Sequence, residues 1–116
     1  MAELMIIKVE LQDKGTNMIE HIVLFKLKAA TTKEQIQTLT QGLLKMADEI
    51  AGIEEISAGA NTSPEGLNRG YNYGMIVRFV DAEARDAYIP HPFHQGVVKE
   101  YIHPNVDEVL VLDYET

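Results

Sequence analysis

A tyrosine and two histidines lie close together in the segment Tyr88-Ile89-Pro90-His91-Pro92-Phe93-His94. Near neutral pH a histidine can take a proton from a carbon next to a carbonyl, and a tyrosine hydroxyl can orient the carbonyl oxygen. Tyr88 and His94 therefore indicate enolisation or aldol chemistry without a cofactor. The structural alternative is that Tyr88 packs at a helix end while His94 bonds a backbone carbonyl and keeps the proline-broken segment in shape.

His91 and His94 are three residues apart, a spacing that is compatible with metal ligation if both are helical. No carboxylate lies at a matching spacing, because Glu100 is six residues beyond His94. We therefore expect no metal site. We expect His91 at the N-cap position before Pro92, and we count it among the ligand-binding candidates.

Three further ligand-binding candidates, His21, Phe25 and Tyr73, lie on predicted strands. His21 shares a strand face with Phe25, and a lone histidine among apolar neighbours is usually a satisfied core residue. The functional alternative is a polar group in a pocket between sheet and helices. Tyr73 shares a face with Met75, a pattern that is typical of a core or of a dimer interface.

Composition limits the remaining classes of function. The chain has 116 residues and a mass of 13.0 kDa, which fits one domain. Its formal net charge of −8 and pI of about 4.9 argue against nucleic acid and anionic membrane surfaces as partners. The absence of cysteine excludes disulfides, thiolate metal sites and cysteine nucleophiles. With no apolar run that could span a membrane, we expect a cytoplasmic protein.

The sequence also lacks the common nucleotide and hydrolase motifs. It contains no P-loop, no G-x-G-x-x-G and no G-x-S-x-G elbow. We therefore expect no cofactor.

Hydrophobic periodicity predicts the elements that position the candidate residues. Strands are predicted at 20–28, 53–60, 71–80 and 109–114. A capping box at Thr31 to Glu34 opens a helix that ends near Gly52, and shorter helices follow at 81–88 and 92–101. The order β-α-β-β-α-β is that of an α+β, ferredoxin-like domain.

The first and last strands are apolar on both faces, although two helices can cover only one face of the sheet. The uncovered face must meet water, a ligand or another subunit. An apolar face of this size favours a homodimer in which two sheets pack together.

Residues 1–17 form a possible extension. Met5, Ile7, Val9 and Leu11 alternate with more polar neighbours, and the stretch 12–17 is typical of a turn. We expect residues 1–17 to add a strand or an arm to a domain at 18–116.

Several segments together resemble the stress-responsive A/B barrel domain (Dabb) family. They are EHIVLFKLK near the start, GYNYGMIVRF at 70–79, the Y-x-x-H-P-x-H string at 88–94 and VLVLDYE near the end. The resemblance implies that ferredoxin-like protomers form a dimeric α/β barrel.

The resemblance also implies similarity to a plant cyclase of the family, which performs a cofactor-free aldol condensation. The catalytic Tyr and His of that cyclase fall on Tyr88 and His94, and its first-strand His falls on His21. Tyr73 stands where the cyclase has a further pocket His.

Three functions remain open at this stage. The first is binding, or cofactor-free aldol or cyclase-type chemistry, on a small apolar or aromatic carbonyl compound, with His94 as base and Tyr88 orienting the carbonyl. The second is a non-catalytic structural or stress-associated oligomer. The third is a cofactor-free monooxygenase of the related dimeric barrels. A cavity that reaches both Tyr88 and His94 would favour the first over the second.

Overall fold

The computed structural model describes residues 17–116, which form one four-stranded antiparallel sheet with helices on one face. The strands are β1 (Ile19–Leu27), β2 (Ile53–Ala60), β3 (Tyr73–Phe79) and β4 (Val106–Glu115), in the order β2-β3-β1-β4. The helices are α1 (Lys33–Glu49), α2 (Ala82–Tyr88), α3 (Pro92–Val97) and α4 (His103–Asn105), with a π-helical turn at Val98–Ile102 between the last two. The predicted α+β, ferredoxin-like fold is confirmed. The strand predicted within residues 1–17 lies outside the described residues.

β1 is one of the two central strands, and the side chains on its inward face are buried beneath the helices. His21, Val23 and Phe25 point inward and pair with Val77, Met75 and Tyr73 of β3, and all six are buried. Against them α1 places three leucine or methionine side chains that have no exposed surface, Leu39, Leu43 and Met46. The alternation predicted for β1 and β3 is therefore present in the structure.

α1 begins one residue later than the sequence predicts. The capping box is formed by Thr32 and Gln35, whereas the prediction placed it at Thr31 and Glu34. The reason is that the Thr31 amide already donates to the Lys28 carbonyl in a turn, at 3.0 Å, so the extended cap conformation falls on Thr32.

The helical region after β3 is longer than predicted. Asp81 caps α2 and His91 caps α3, where its side chain accepts from the Phe93 amide at 3.0 Å. The prediction ended this region near residue 101, but the chain continues through the π-helical turn, in which the His103 amide donates to the carbonyl of Val98. This wide turn directly precedes Pro104, whose missing N–H cannot extend an α-helical ladder.

Within the described chain, no helix covers the opposite, outward face of the sheet. Apolar side chains remain exposed there, among them Ile76, Leu110 and Leu112, the last with 58% of its surface exposed. The inward side chains of β4, Val109 and Val111, are also about half exposed. Among residues 17–116, no helix is both long enough and apolar enough to cross a membrane.

Gly42 allows α1 to lie close to the π-helical turn. A Cβ at this buried position would lie 2.6 Å from two ring carbons of Tyr101, whereas a Cβ at Gly96 in α3 would meet nothing within 4 Å. Helix propensity alone would make either Gly→Ala change stabilising by about 1 kcal/mol. We predict that Gly42→Ala instead lowers the free energy of unfolding by about 1 to 3 kcal/mol, because the packed ring must move.

Urea unfolding of the two variants provides the measurement, with Gly96→Ala as the matched control. Gly96→Ala should keep or raise the stability of the wild type. Equal stabilisation by both substitutions would contradict a close contact between α1 and Tyr101.

Candidate functional site

A cavity of about 350 Å³ lies between the inward face of the sheet and the helical region 88–103. Its wall is mainly apolar and includes Val23, Phe25, Met75, Val98, Ile102 and Val111. The polar side chains at its surface are His21, Tyr88, His94 and His103. Because no Lys, Arg, Asp or Glu of the described residues lines it, the cavity suits an uncharged, largely apolar molecule.

Four of the six predicted site residues border this cavity: His21, Phe25, Tyr88 and His94. β1 supplies the first two, the end of α2 supplies Tyr88, and α3 supplies His94. The rings of Tyr88 and His94 lie side by side, with their centroids 4.1 Å apart and their planes inclined by 31°. The centroid of the His21 ring lies 5.5 Å from that of Tyr88.

His94 is held by a hydrogen bond from its Nδ1 to the carbonyl of Ile89, at 2.9 Å. A carbonyl oxygen only accepts, so Nδ1 carries the hydrogen and Nε2 keeps its lone pair in the neutral ring. Burial lowers the pKa of His94, against a smaller opposing effect of the Ile89 hydrogen bond. The imidazole is therefore uncharged at neutral pH and able to accept a proton.

Tyr88 has only 2% of its surface exposed and packs edge-on against Phe79, with centroids 4.9 Å apart. Burial raises the pKa of Tyr88 well above its usual range, and the negative charge of Asp113 adds to the effect. The phenol thus stays protonated across the physiological range. Within the described part of the chain its hydroxyl has no hydrogen-bond partner, so it can donate to a ligand.

His21 is the third polar group at the cavity and is 8% exposed. Its Nδ1 lies 2.7 Å from Oδ1 of Asp113, directly opposite on β4. The second oxygen of Asp113 accepts from Nη1 of Arg85 at 2.8 Å. Partial burial alone would raise the pKa of Asp113, but the hydrogen bonds from Arg85 and His21 outweigh burial and lower it. Asp113 is therefore an ionised acceptor, and the Nε2 atom of His21 is left for the cavity.

The other two predicted ligand-binding residues lie outside the cavity wall. Tyr73 is buried behind Phe25, with ring centroids 6.0 Å apart, and its hydroxyl bonds the hydroxyl of Thr40 on α1. The side chain of His91 forms the N-cap of α3, as the sequence also predicted. A ligand in this cavity would meet neither side chain.

Sequence reasoning missed His103, Asp113 and Arg85. His103 reaches the cavity because the π-helical turn places it five residues after Val98, on the same side. A helix assumed to end near residue 101 gave no reason to expect that. Asp113 had a usable signal, since it is the one charged residue in the apolar run Val109 to Asp113 and faces the same side as Val109 and Val111.

No metal centre is formed within residues 17–116, where His, Asp and Glu side chains do not gather in groups of three or more that could hold an ion. His91 and His94, the pair with ligand spacing, are committed to a helix cap and to the Ile89 carbonyl respectively.

Comparison with curated proteins gives two relatives. The chain is 30% identical over 106 residues to a stress-response A/B barrel domain-containing protein of Arabidopsis thaliana. That alignment covers 85% of this chain but only 37% of the Arabidopsis protein. The chain is also 23% identical over 96 residues to olivetolic acid cyclase of Cannabis sativa, an alignment that covers 83% of this chain and 94% of the cyclase.

Solved structures share the fold. An Arabidopsis thaliana protein matches with a TM-score of 0.79 and 28% identity, covering 84% of this chain and 94% of that one. A dimeric ferredoxin-like protein from Jannaschia sp. CCS1 matches with a TM-score of 0.73 and 29% identity, covering 85% and 99%. Hydroxynitrile lyase from Passiflora edulis, at 18% identity and a TM-score of 0.79, covers 88% and 95% and shows the fold alone.

The family model described as the stress responsive A/B barrel domain, Dabb, matches residues 19–116, from the start of β1 to the last residue of the chain. The segments that first indicated the resemblance all lie inside this match. The chain therefore belongs to the stress-responsive A/B barrel (Dabb) family.

Proposed function

We propose that the cavity binds a small, uncharged apolar or aromatic carbonyl compound and catalyses proton transfer at the carbon next to the carbonyl, without a cofactor. The observation that carries this proposal is the pairing of Tyr88 and His94, 4.1 Å apart by ring centroid, in the wall of an otherwise apolar cavity. Enolisation is the first step of an aldol-type cyclisation, so this chemistry includes cyclase-type reactions.

The two side chains offer complementary groups to such a molecule. The protonated Tyr88 hydroxyl donates to the carbonyl oxygen, which polarises the carbonyl and stabilises the enolate that forms. Nε2 of His94 takes the proton from the adjacent carbon, which is possible because Nδ1 is already committed to Ile89. The pair therefore provides an acid–base system whose two members differ in protonation at neutral pH.

Apolar surroundings strengthen this arrangement. With Val98, Ile102 and Met75 in the wall, water has few partners in the cavity, and a hydrogen bond from Tyr88 to a developing enolate is worth more than it would be in water. The same wall provides surface for a hydrocarbon or aromatic ring. The relative named olivetolic acid cyclase supports a carbonyl substrate at this site, since it aligns along 83% of this chain.

The non-catalytic alternative makes a different prediction about the cavity. If Tyr88 and His94 served the structure alone, other side chains would fill the space beside them, whereas the cavity borders both. Monooxygenase chemistry at the same site would need an activated phenol or quinone precursor, and no additional contact among the described residues favours it. Proton transfer next to a carbonyl is the simpler assignment.

We further propose that the protein works as a homodimer. The outward sheet face exposes Ile76, Leu110 and Leu112, and the Jannaschia structure with this fold is described as dimeric. Packing two such faces together would remove these side chains from water, at about 25 cal/mol for each Å² of apolar surface buried.

The catalytic proposal predicts hydrogen–deuterium exchange at the carbon next to the carbonyl of a model ketone such as acetophenone, measured by NMR in D₂O. Wild-type protein should accelerate exchange above the buffer rate. His94→Ala should reduce the enzyme-dependent rate by about 100-fold or more, the usual contribution of a positioned base. Tyr88→Phe should also lower it, because the enolate oxygen loses its donor.

Stability provides the control for this experiment. His94→Ala should cost less than about 1 kcal/mol of unfolding free energy, because Nε2 of Gln95 also donates to the Ile89 carbonyl, at 2.9 Å, and keeps it satisfied. No exchange above buffer, or a variant that unfolds, would assign His94 to the structure.

The pH profile of the same exchange reaction tests the protonation state of His94. Because burial lowers the pKa of His94, the ring is already neutral at a pH where an ordinary histidine is half protonated. The enzyme-dependent rate should therefore rise with a midpoint below about 6.5 and stay level through pH 7 to 8. A midpoint above that of free imidazole would contradict the assignment of His94 as the base.

The homodimer predicts a mass near twice 13.0 kDa by light scattering at micromolar concentration. Leu112→Glu on the outward face should give monomers, because each glutamate would have to enter an apolar interface. Leu44→Glu, at an exposed position of α1, should leave the mass unchanged. A wild-type monomer, or dissociation by both substitutions, would contradict the proposed interface.

A further inference from the structure

Arg85 lies outside the cavity wall but is connected to His21 in that wall by two successive hydrogen bonds, through Asp113. Its Nη1 donates to Oδ2 of Asp113 at 2.8 Å, and Oδ1 of the same carboxylate lies 2.7 Å from Nδ1 of His21. On its other side Nε of Arg85 donates to Asp86 at 2.7 Å. Arg85 and Asp113 are both largely covered, with 24% and 22% of their side-chain surfaces exposed.

We propose that Arg85 is a positioning residue: it holds the Asp113 carboxylate against Nδ1 of His21, so that Nε2 of the ring is left to face the cavity. Its part in catalysis rests on the function proposed above. Its effect on His21 is a property of the protein without ligand.

The charges of Asp113 and Arg85 act on His21 in opposite directions. A carboxylate alone, 2.7 Å from Nδ1, would favour the charged form of a buried His21. The guanidinium on the other oxygen offsets that carboxylate, while the Asp86 carboxylate on the far side of Arg85 is exposed to solvent, which screens its charge.

The geometry acts in the same direction. Each oxygen of Asp113 has one partner, so the carboxylate cannot rotate without losing a charge-assisted hydrogen bond. A fixed Asp113 acceptor places the hydrogen of the neutral His21 ring on Nδ1. Without Arg85, the hydrogen bond from His21 is the one described side-chain contact that still holds the Asp113 carboxylate.

The other groups around His21 support this assignment. From the helices it meets the Tyr88 phenol, which stays protonated, and His94, which is uncharged at neutral pH. From β3 it meets the apolar residues Val77 and Phe79. His103 borders the same cavity, so its titration must be followed as well. Among the described residues, Asp113 is the charged side chain bonded to His21, and Arg85 is the charged side chain bonded to the other oxygen of Asp113.

An Nε2 atom of His21 that faces the cavity has a consequence for the ligand. In their neutral forms His94 and His21 would each present an acceptor nitrogen, and both rings lie against the ring of Tyr88. That pattern fits a carbonyl compound that also carries a hydroxyl or enol O–H, which would donate to Nε2 of His21.

NMR titration of the histidine rings in ligand-free, ¹⁵N-labelled protein tests the proposal, with His21 assigned from a His21→Gln spectrum. In wild type, the neutral ring should show hydrogen on Nδ1. In Arg85→Met, the pH at which His21 is half protonated should rise by about half a pH unit or more, because an unbalanced carboxylate now faces the ring. Arg85→Lys, which keeps the charge, should restore most of the wild-type value.

Two controls separate this effect from a general loss of structure. Asp86→Asn removes the exposed contact of Arg85 and should leave the His21 titration unchanged. Asp113→Asn should shift it in the opposite direction to Arg85→Met, and Arg85→Gln provides the same test of the guanidinium charge if Arg85→Met does not fold. An unchanged His21 titration in a folded Arg85→Met protein, or an equal shift in Asp86→Asn, would overturn the proposal. Because no ligand is present, absence of ketone exchange would not affect this result.

Discussion

The site depends on how unevenly the helices cover the inward face of the sheet. α1 places Leu39, Leu43 and Met46 in a core with no exposed surface. The shorter helices that follow β3 are divided by two prolines, and they leave Val109 and Val111 of β4 about half exposed. The cavity lies beneath this incomplete cover, between β4, β1 and the region 88–103. A single long helix in the same place would have left no room for a ligand.

Each polar group that faces this gap is held by a bond on its far side. Nδ1 of His94 is committed to the Ile89 carbonyl and Nδ1 of His21 to Asp113, so neither ring is free to offer the wrong nitrogen. Tyr88 is fixed by its packing against Phe79 and His94. Fixed orientation matters because a general base must reach the proton within hydrogen-bond distance before its pKa has any effect.

Much of this arrangement could be predicted from the sequence, for identifiable physical reasons. Apolar residues alternate with other residues on β3 and recur every three or four residues on α1. Both patterns reflect burial of one face of the element, which is why the fold could be predicted from the pattern alone. The Tyr88 and His94 pair was found because both residues lie in one short segment. Cross-strand partners such as Asp113, 92 residues from His21 in the sequence, are set by the register of β1 and β4. Local spacing carries no information about that register, and it likewise gave no indication that Tyr73 would be hidden behind Phe25.

The most direct test of a carbonyl-binding cavity is the ¹⁵N spectrum of the histidine rings with and without acetophenone. Three of the four histidines, His21, His94 and His103, border the cavity, while His91 caps α3 outside its wall. We predict that added ketone shifts ring signals of His94 and His21 and leaves His91 unchanged, and that Tyr88→Phe weakens the effect. Unchanged spectra at millimolar ketone, or a shift confined to His91, would contradict the account.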